Sequence, residues 1–323
     1  MRVARLLDEA KEFGPVAVTI GNFDGVHCGH MRLLDEVMAA AAEKKVSPAV
    51  LSFDPHPASI VASARSLRLL TTPAERCSIM ARHGIEHILL LPFTREMSYW
   101  TPEKFVERVL AESLHARVVI VGDNFRFGHN QAGNTQVLTD LGKRFGFETR
   151  IIAPVRLRGR VVSSSGVRKA VEGGNVSLAG RLLCRAFELH GEVVKGQGIG
   201  SSQTVPTLNL RTQAQVVPAP GVYITRTYEL EGPRHWDSIT NVGYRPTFSD
   251  AHELTIETFL LSEFVPPPPE TIRVEFLRRV RDERKFESPE LLRAQIMRDV
   301  GMAQTYFRRG QKWIAARAPA RTH

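Results

Sequence analysis

The chain has 323 residues, 43% apolar and 24% charged, which excludes a disordered polymer and gives enough length for two cores rather than one. No apolar run approaches the ~20 residues needed to span a bilayer, so no membrane contact is expected. Lys and Arg outnumber Asp and Glu by 43 to 34, a surplus that favours anionic partners, whether nucleic acid or phosphorylated small molecules.

The N-terminal MRVARLLDEAKEFG carries acids among its apolar residues, unlike a secretory leader, and a cytoplasmic location is expected. Apolar runs then alternate with helical patterns. Strands are expected at VAVTI (16–20), AVLSF (49–53), HILLLPF (87–93), RVVIVG (117–122) and TRIIAPV (149–155). Helices are expected between them at MRLLDEVMAAAAEKK, PAERCSIMARHG, PEKFVERVLAES and TQVLTDLGKRFG. This βαβα series implies an α/β domain with a Rossmann-like, mostly parallel sheet, and the unbroken apolar strands suit burial on both faces. Ligands in such sheets sit beyond the carboxyl ends of the strands, where GNFDGVHCGH (21–30) and GDNFRFG (122–128) fall.

After a helical stretch at 165–183 the pattern changes to short strands broken by Gly and Pro: HGEVV, VPTLNL, GVYITRTYEL, SITNVGY, ELTIETFLL and TIRVEFL. Such spacing predicts an all-β second domain, a small antiparallel barrel or sandwich. PPPP at 266–269 reads as a stiff hairpin loop, and a terminal helix is expected over roughly 288–316, with Ser288 as N-cap and Pro289 at N1. The domains are therefore 1–185 and 186–323. The arginine-rich runs at 278–285 and 308–321 read as solvated faces, the first being interleaved with acids, and no nucleic-acid signature is present.

The stretch GNFDGVHCGH poses the chemical question. A metal site would draw on His27, Cys28 and His30, at most three ligands. An anion site needs less: Gly21 and Gly25 let the backbone approach, and a helix starting near Gly29 offers free N–H groups and a positive dipole end. Two histidines there can bond phosphate oxygens and stabilise charge on a leaving group. Small hydroxyls followed by an arginine, in SSSGVR (163–168), likewise suit a polyphosphate.

GNFDGVHCGH resembles the H-x-G-H signature of the nucleotidylyltransferase superfamily, and its longer form resembles that of the prokaryotic bifunctional riboflavin kinase/FAD synthetases. FDPHP (53–57), GDNFRFG with AGN behind it (122–134) and SSSGVR stand in the family's order, and the likeness covers nearly the whole chain. It implies adenylyl transfer from ATP to FMN, with His27, His30 and Arg168 as catalytic residues. Gly21, Asn22, Phe23, Gly29, Asn124, Ser163, Ser164 and Ser165 would bind nucleotide. No catalytic role falls to Cys28.

The second half resembles the riboflavin kinase barrel. The family's G-x-x-G-R-x-x-G-F-P-T-A-N-L is similar to GQGIGSSQTVPTLNL (196–210), with Pro206, Thr207 and Asn209 kept. Ser201 stands in place of arginine, Thr204 of glycine, Val205 of phenylalanine and Leu208 of alanine. The family's E-T-H is met by Glu257, Thr258 and Phe259. PAPGVYI, NVGYRPTF and RVRDERKF also match. The resemblance implies that Thr207 and Asn209 hold Mg²⁺ and ATP, and that Glu257 is the general base toward riboflavin, a role that suits a carboxylate. It implies small-molecule partners only (ATP, riboflavin, FMN and FAD), no nucleic acid and no membrane, and leaves the oligomeric state open. The altered 200–208 loop admits one alternative, a monofunctional FAD synthetase whose barrel binds flavin without catalysing phosphorylation.

Overall fold

The computed structural model describes residues 1–61, 67–194, 207–246, 252–262, 264–284 and 286–317. The chain forms two compact units, Met1–Ser165 and Gly166–His323.

The first unit contains β1 (Arg2–Ala4), α1 (Leu7–Ala10), β2 (Val16–Ile20), α2 (Cys28–Lys44), β3 (Ser47–Phe53), α3 (Pro57–Val61), α4 (Pro73–Arg82) and β4 (His87–Leu91). It continues through α5 (Pro102–Phe105) with a π-helical turn after it, β5 (Ala116–Gly122), α6 (Thr135–Phe145), β6 (Glu148–Ile152) and the short hairpin β7 (Arg156–Leu157) and β8 (Arg160–Val161). Six strands form one parallel sheet in the order β1-β4-β3-β2-β5-β6. All five residues of β2 are buried, as a central parallel strand requires. One core lies on each face: Phe13, Val18, Leu51, Leu89 and Phe105 on one side, and Leu34, Val50, Met80, Ile88 and Val118 on the other. The edge strand β1 went unexpected in the sequence, because its three residues give no period to read.

This strand order matters for function. From β2 the chain winds outward through β3 and β4, then crosses back to place β5 on β2's other side. The loops after β2 and β5 thus diverge at the point where the winding reverses, the place where open α/β sheets bind ligands.

The second unit takes in most of α7 (Ser164–Glu172), then α8 (Val176–Leu183), β9 (Phe187–Val194), β10 (Thr207–Arg211), β11 (Gly221–Glu229), β12 (His235–Pro246), β13 (His252–Leu260), β14 (Thr271–Asp282) and α9 (Pro289–Arg317). Its six strands close into an antiparallel barrel in the order β10-β13-β12-β11-β14-β9, with β9 paired to β10 to complete the ring. Alternation sorts the side chains: Tyr223, Thr225, Thr227, Ser238, Thr240, Ile256 and Thr258 are buried, while Thr255, Glu257 and Phe259 are half-buried. The buried hydroxyls satisfy one another, Thr225 bonding Ser238 and Thr240 at 2.8 Å each and Thr240 bonding Thr258 at 3.0 Å. On the outside, Val300, Ala303 and Phe307 of α9 cover Val222, Ile224 and Ile239. The Ser288 N-cap and Pro289 start that helix as the sequence predicts, with the Leu291 N–H donating to Ser288 Oγ at 3.4 Å.

The proline run is not a hairpin. β13 and β14 are not neighbours in the barrel, so 266–269 lies on a connection that passes between non-adjacent strands. Arg234 fastens this connection by donating to the Val265 and Pro267 carbonyls at 3.0 and 2.9 Å. The 196–206 stretch, with its substitutions at Ser201, Thr204 and Val205, lies outside the described residues.

Candidate functional site

In the first unit the histidine pair and the serine run gather at the loop beyond the carboxyl end of β2. His27 is the N-cap of α2, and the cap is reciprocal. The His30 N–H donates to His27 Nδ1 and the His27 N–H donates to His30 Nδ1, both at 3.3 Å. The two rings stack with centroids 3.7 Å apart and 8° between planes, and His30 also lies 4.9 Å from the Phe23 ring. Each Nδ1 accepts a backbone N–H and so carries no proton. In the neutral rings both protons therefore sit on Nε2, so each ring offers one donor near the positive end of a 17-residue helix.

The glycine between the histidines has a steric reason. A Cβ at Gly29 would lie 3.1 Å from His27 Cε1 and 3.2 Å from its Nδ1, because the capping ring folds back over that position. Gly25 is constrained twice, by φ +76° and by Leu70 Cδ1 at 2.7 Å from the site of a Cβ. The neighbouring Phe23 and Val26 adopt φ of 52° and 38° without being glycine, Val26 being β-branched. Strain of this kind persists only where the surroundings over-determine it.

The surroundings are a strap at 70–76. Asp24 Oδ1, in a buried residue, accepts the Leu70 N–H at 2.8 Å and the Thr71 N–H at 3.3 Å, and the Gly25 N–H donates to Thr71 Oγ1 at 3.0 Å. Ser164 Oγ donates to the Asp24 carbonyl at 2.9 Å, which brings the serine run to the same loop. Ser163 and Ser164 are half-buried and Ser165 is exposed at the start of α7, the helix that also carries Arg168. Gly21 anchors the loop's beginning through an N–H donated to the Leu51 carbonyl at 3.1 Å, and Asn22 follows it. Asn124 is exposed on the loop after β5, β2's neighbour, with its Oδ1 3.2 Å from where a Cβ on Gly122 would stand.

In the barrel, strand register assembles the second constellation. Asn209 on β10 is paired with Glu257 on β13, and Thr207 with Phe259. All four are half-buried and share one face. Phe259, where the resemblance has histidine, packs beside the cluster that α9 covers. Among the described residues, no group of three or more His, Cys, Asp and Glu is placed to hold a metal ion.

Sequence reasoning did not single out Asp24, Arg76 or Asn241. Asp24 stands in plain view inside GNFDG, yet its role depends on a strap 46 residues away. Arg76, in the first turns of α4, carries the pattern of a solvated helix residue. Asn241 is the β12 partner of Glu257, so the carboxylate sits between two carboxamides, one on each flanking strand. Directly opposed residues of this kind have Cβ atoms ~4.5–5.5 Å apart.

A parallel sheet with a histidine pair at a helix start, in one chain with a barrel that carries an acid and oxygen donors on one face, has the parts of a two-domain nucleotide-using transferase. The comparisons agree: residues 9–166 match the family model for FAD synthetase and residues 183–307 that for riboflavin kinase. The chain is 32% identical over 301 residues to the bifunctional riboflavin kinase/FMN adenylyltransferase of Escherichia coli strain K12, covering 93% of this chain and 95% of that protein. The protein of the same description from Pseudomonas fluorescens is 32% identical over 286 residues, covering 88% and 91%. The chain belongs to the bifunctional riboflavin kinase/FMN adenylyltransferase family. Its fold also matches a crystal structure described as a macrolide-efflux protein from Streptococcus pneumoniae, with TM-score 0.84 and 27% identity over 94% of this chain and 99% of that one. Among the described residues here, no helix is long and apolar enough to cross a membrane.

Proposed function

We propose that the chain converts riboflavin to FMN on its barrel and FMN to FAD on its parallel-sheet unit, each step using one ATP. The observation that carries this reading is the double match, one family model on each half, in a chain aligned over 93% of its length with a bifunctional relative. A monofunctional FAD synthetase is not favoured, since the kinase half matches as a kinase and keeps an acid opposite its oxygen donors.

For adenylyl transfer, a phosphate oxygen of FMN attacks the α-phosphorus of ATP and the bond to pyrophosphate breaks. Such chemistry depends on positioning and charge stabilisation. The two Nε2–H groups of His27 and His30, with the N–H groups at the start of α2, donate to the oxygens of the reacting phosphates. Gly21, Asn22, Phe23, Gly29 and Asn124 bind nucleotide. Ser163, Ser164, Ser165 and Arg168 hold the departing pyrophosphate.

For phosphorylation, Glu257 takes the proton from the 5′-hydroxyl of riboflavin as that oxygen bonds the γ-phosphorus and ADP leaves. Thr207 and Asn209 present a hydroxyl and an amide oxygen two residues apart on one strand face, hard donors that fit Mg²⁺ and ATP. The ion, when bound, neutralises phosphate charge. We divide the labour at 1–185 and 186–323 so that the serine run and Arg168 stay with the adenylyl site. Small-molecule substrates fit the proposed cytoplasmic location, and nucleic acid and membrane are not proposed as partners.

The test is to incubate the protein with riboflavin, ATP and Mg²⁺ and to separate the flavins. FMN should appear first and FAD after it, with ADP and pyrophosphate released in step. FAD formed from supplied FMN, with no FMN formed from riboflavin, would establish the monofunctional alternative instead.

A further inference from the structure

Arg76 is only 2% exposed, the largest of the fully buried side chains. Its Nη1 donates to the Asn22 carbonyl at 2.5 Å and to Ser52 Oγ at 3.4 Å, and its Nη2 donates to the Phe53 carbonyl at 3.4 Å. Ser52 Oγ donates to the same Asn22 carbonyl at 3.3 Å. The Arg76 Nε has no hydrogen-bond partner among the described residues. Burial pushes the guanidinium pKa down from its ordinary value, opposed by the nearby Asp24 and Asp54 carboxylates.

A cation in such a place is costly. Burial of a guanidinium is unfavourable unless its donors are well used, and a methionine of similar reach would pack here without that penalty. The guanidinium's shortest bond, however, ends on the first carbonyl of the strained turn. Asn22 leads directly into the turn whose Phe23, Gly25 and Val26 have positive φ, and the turn leads into His27. The turn leaves β2 where the sheet's winding reverses, and it sets the entry angle of α2 and with it the ring that caps the helix. Asp24, two residues on, is held by the Leu70 and Thr71 N–H groups, a few residues before Arg76 in sequence. The turn is therefore gripped at its start and in its middle by one segment, and Arg76 supplies the grip nearer the strand.

We propose that Arg76 is a positioning residue for adenylyl transfer: by clamping the Asn22 carbonyl it holds the 23–26 turn in its strained form and so keeps the His27–His30 pair aimed at the reacting phosphates. It rests on the adenylyl-transfer reading of that site. It touches neither substrate nor reacting atom, and the phosphorylation site in the barrel unit does not depend on it.

The experiment compares Arg76→Met and Arg76→Lys in the full chain, measuring kcat and KM for FMN-to-FAD conversion, the rate of riboflavin phosphorylation, and melting. Displacement of catalytic groups by about an ångström costs up to ~10²-fold, so Arg76→Met should lower adenylyl-transfer kcat by roughly 10- to 100-fold. KM for ATP should rise by less than kcat falls, since Asn22 and Phe23 of the same turn bind nucleotide, while KM for FMN stays near the wild-type value and phosphorylation is unchanged. Arg76→Lys, which keeps the charge but not the fork, should recover part of the loss. Should the Met variant fail to fold, Arg76→Lys and Ser52→Ala decide on the same criterion, each lowering kcat with phosphorylation intact. Wild-type kcat in the folded variants, or a fall in both activities together with melting, would overturn the proposal. Absence of FAD formation in the wild-type chain would instead remove the reading on which it rests.

Discussion

The two units place their candidate chemistry by opposite means. In the parallel-sheet unit the histidines, the serines and Asn124 stand on loops and helix starts beyond strand ends, and nothing in the sheet's own hydrogen bonding fixes them. Their positions come from long-range ties: Asp24 to 70–71, Arg76 to Asn22, Ser164 to Asp24. In the barrel, Thr207, Asn209, Asn241 and Glu257 stand on the strands themselves, and the ladder that makes the fold also sets their spacing. A loop site tolerates strain and can bring backbone N–H groups to a ligand. A ladder site is fixed as soon as the register is, because a slip of one residue would turn Glu257 inward and Thr258 outward.

The comparison can be broken most severely at the acid. Glu257→Gln keeps shape and hydrogen bonding but removes the proton acceptor, and riboflavin phosphorylation should fall by roughly 10²- to 10⁴-fold. FAD formation from supplied FMN should be unaffected. A wild-type phosphorylation rate in this variant would make Glu257 an ordinary strand residue and place the base elsewhere.

Next come the imidazoles. Each loses its partner's cap as well as its own donor on truncation, so His27→Ala or His30→Ala should lower FMN-to-FAD conversion by ~10²- to 10³-fold. The site tolerates no half measure: because Nδ1 is committed to the backbone, a side chain reaching out only from the Nδ1 position, such as asparagine, should not restore the rate. Steady-state assays of both half-reactions would show whether the loss stays within the adenylyl step.

A smaller effect is expected at Asn241. If its carboxamide steadies the Glu257 carboxylate from the β12 side, Asn241→Ala should lower phosphorylation about tenfold, the worth of one hydrogen bond to a charged group. An unchanged kcat would mean that register alone, without this neighbour, orients the acid.

Stability offers a gentler distinction. α8 buries Val176, Ala179, Leu182 and Leu183 and packs on β9 and β14, and Ser177 Oγ donates to the Leu277 carbonyl at 2.9 Å. A fragment starting at Ala186 should fold as a barrel, and one starting at Gly166 should melt at a higher temperature. In the first unit, burial pushes the His87 imidazole pKa down, and its ring stacks on Phe13 at 4.5 Å. The folded state resists a proton that the unfolded chain accepts, so stability should fall as pH drops below the free-histidine value of ~6.5. Thermal melts across that window should show this slope in the first unit's transition, and His87→Phe should flatten it.

Much of the architecture was legible because it is written in period. Continuous apolar runs gave the parallel strands, and alternation in ELTIETFLL put Glu257 opposite the buried Ile256 and Thr258. The HCGH motif pointed to an anion site because free N–H groups at a helix start and two histidines suit phosphate oxygens, and the structure does place both histidines at the start of α2. What stayed hidden was everything decided by pairing partners far apart in sequence. The β9–β10 closure, the passage of 266–269 between non-neighbours, and the placing of Asn241 beside Glu257 all depend on register. Arg76 was invisible for a related reason: a charged residue in a short helix reads as solvated until the turn it clamps is known.

If one chain carries two separate sites, a single variant should silence one and spare the other. His27→Ala, supplied with riboflavin, excess ATP and Mg²⁺, should convert riboflavin to FMN at the wild-type rate and stop there, releasing ADP but no pyrophosphate. FMN should accumulate to the full amount of riboflavin added. Loss of FMN formation in a folded His27→Ala protein would contradict the account, since the two reactions would then share the residue that it assigns to one of them.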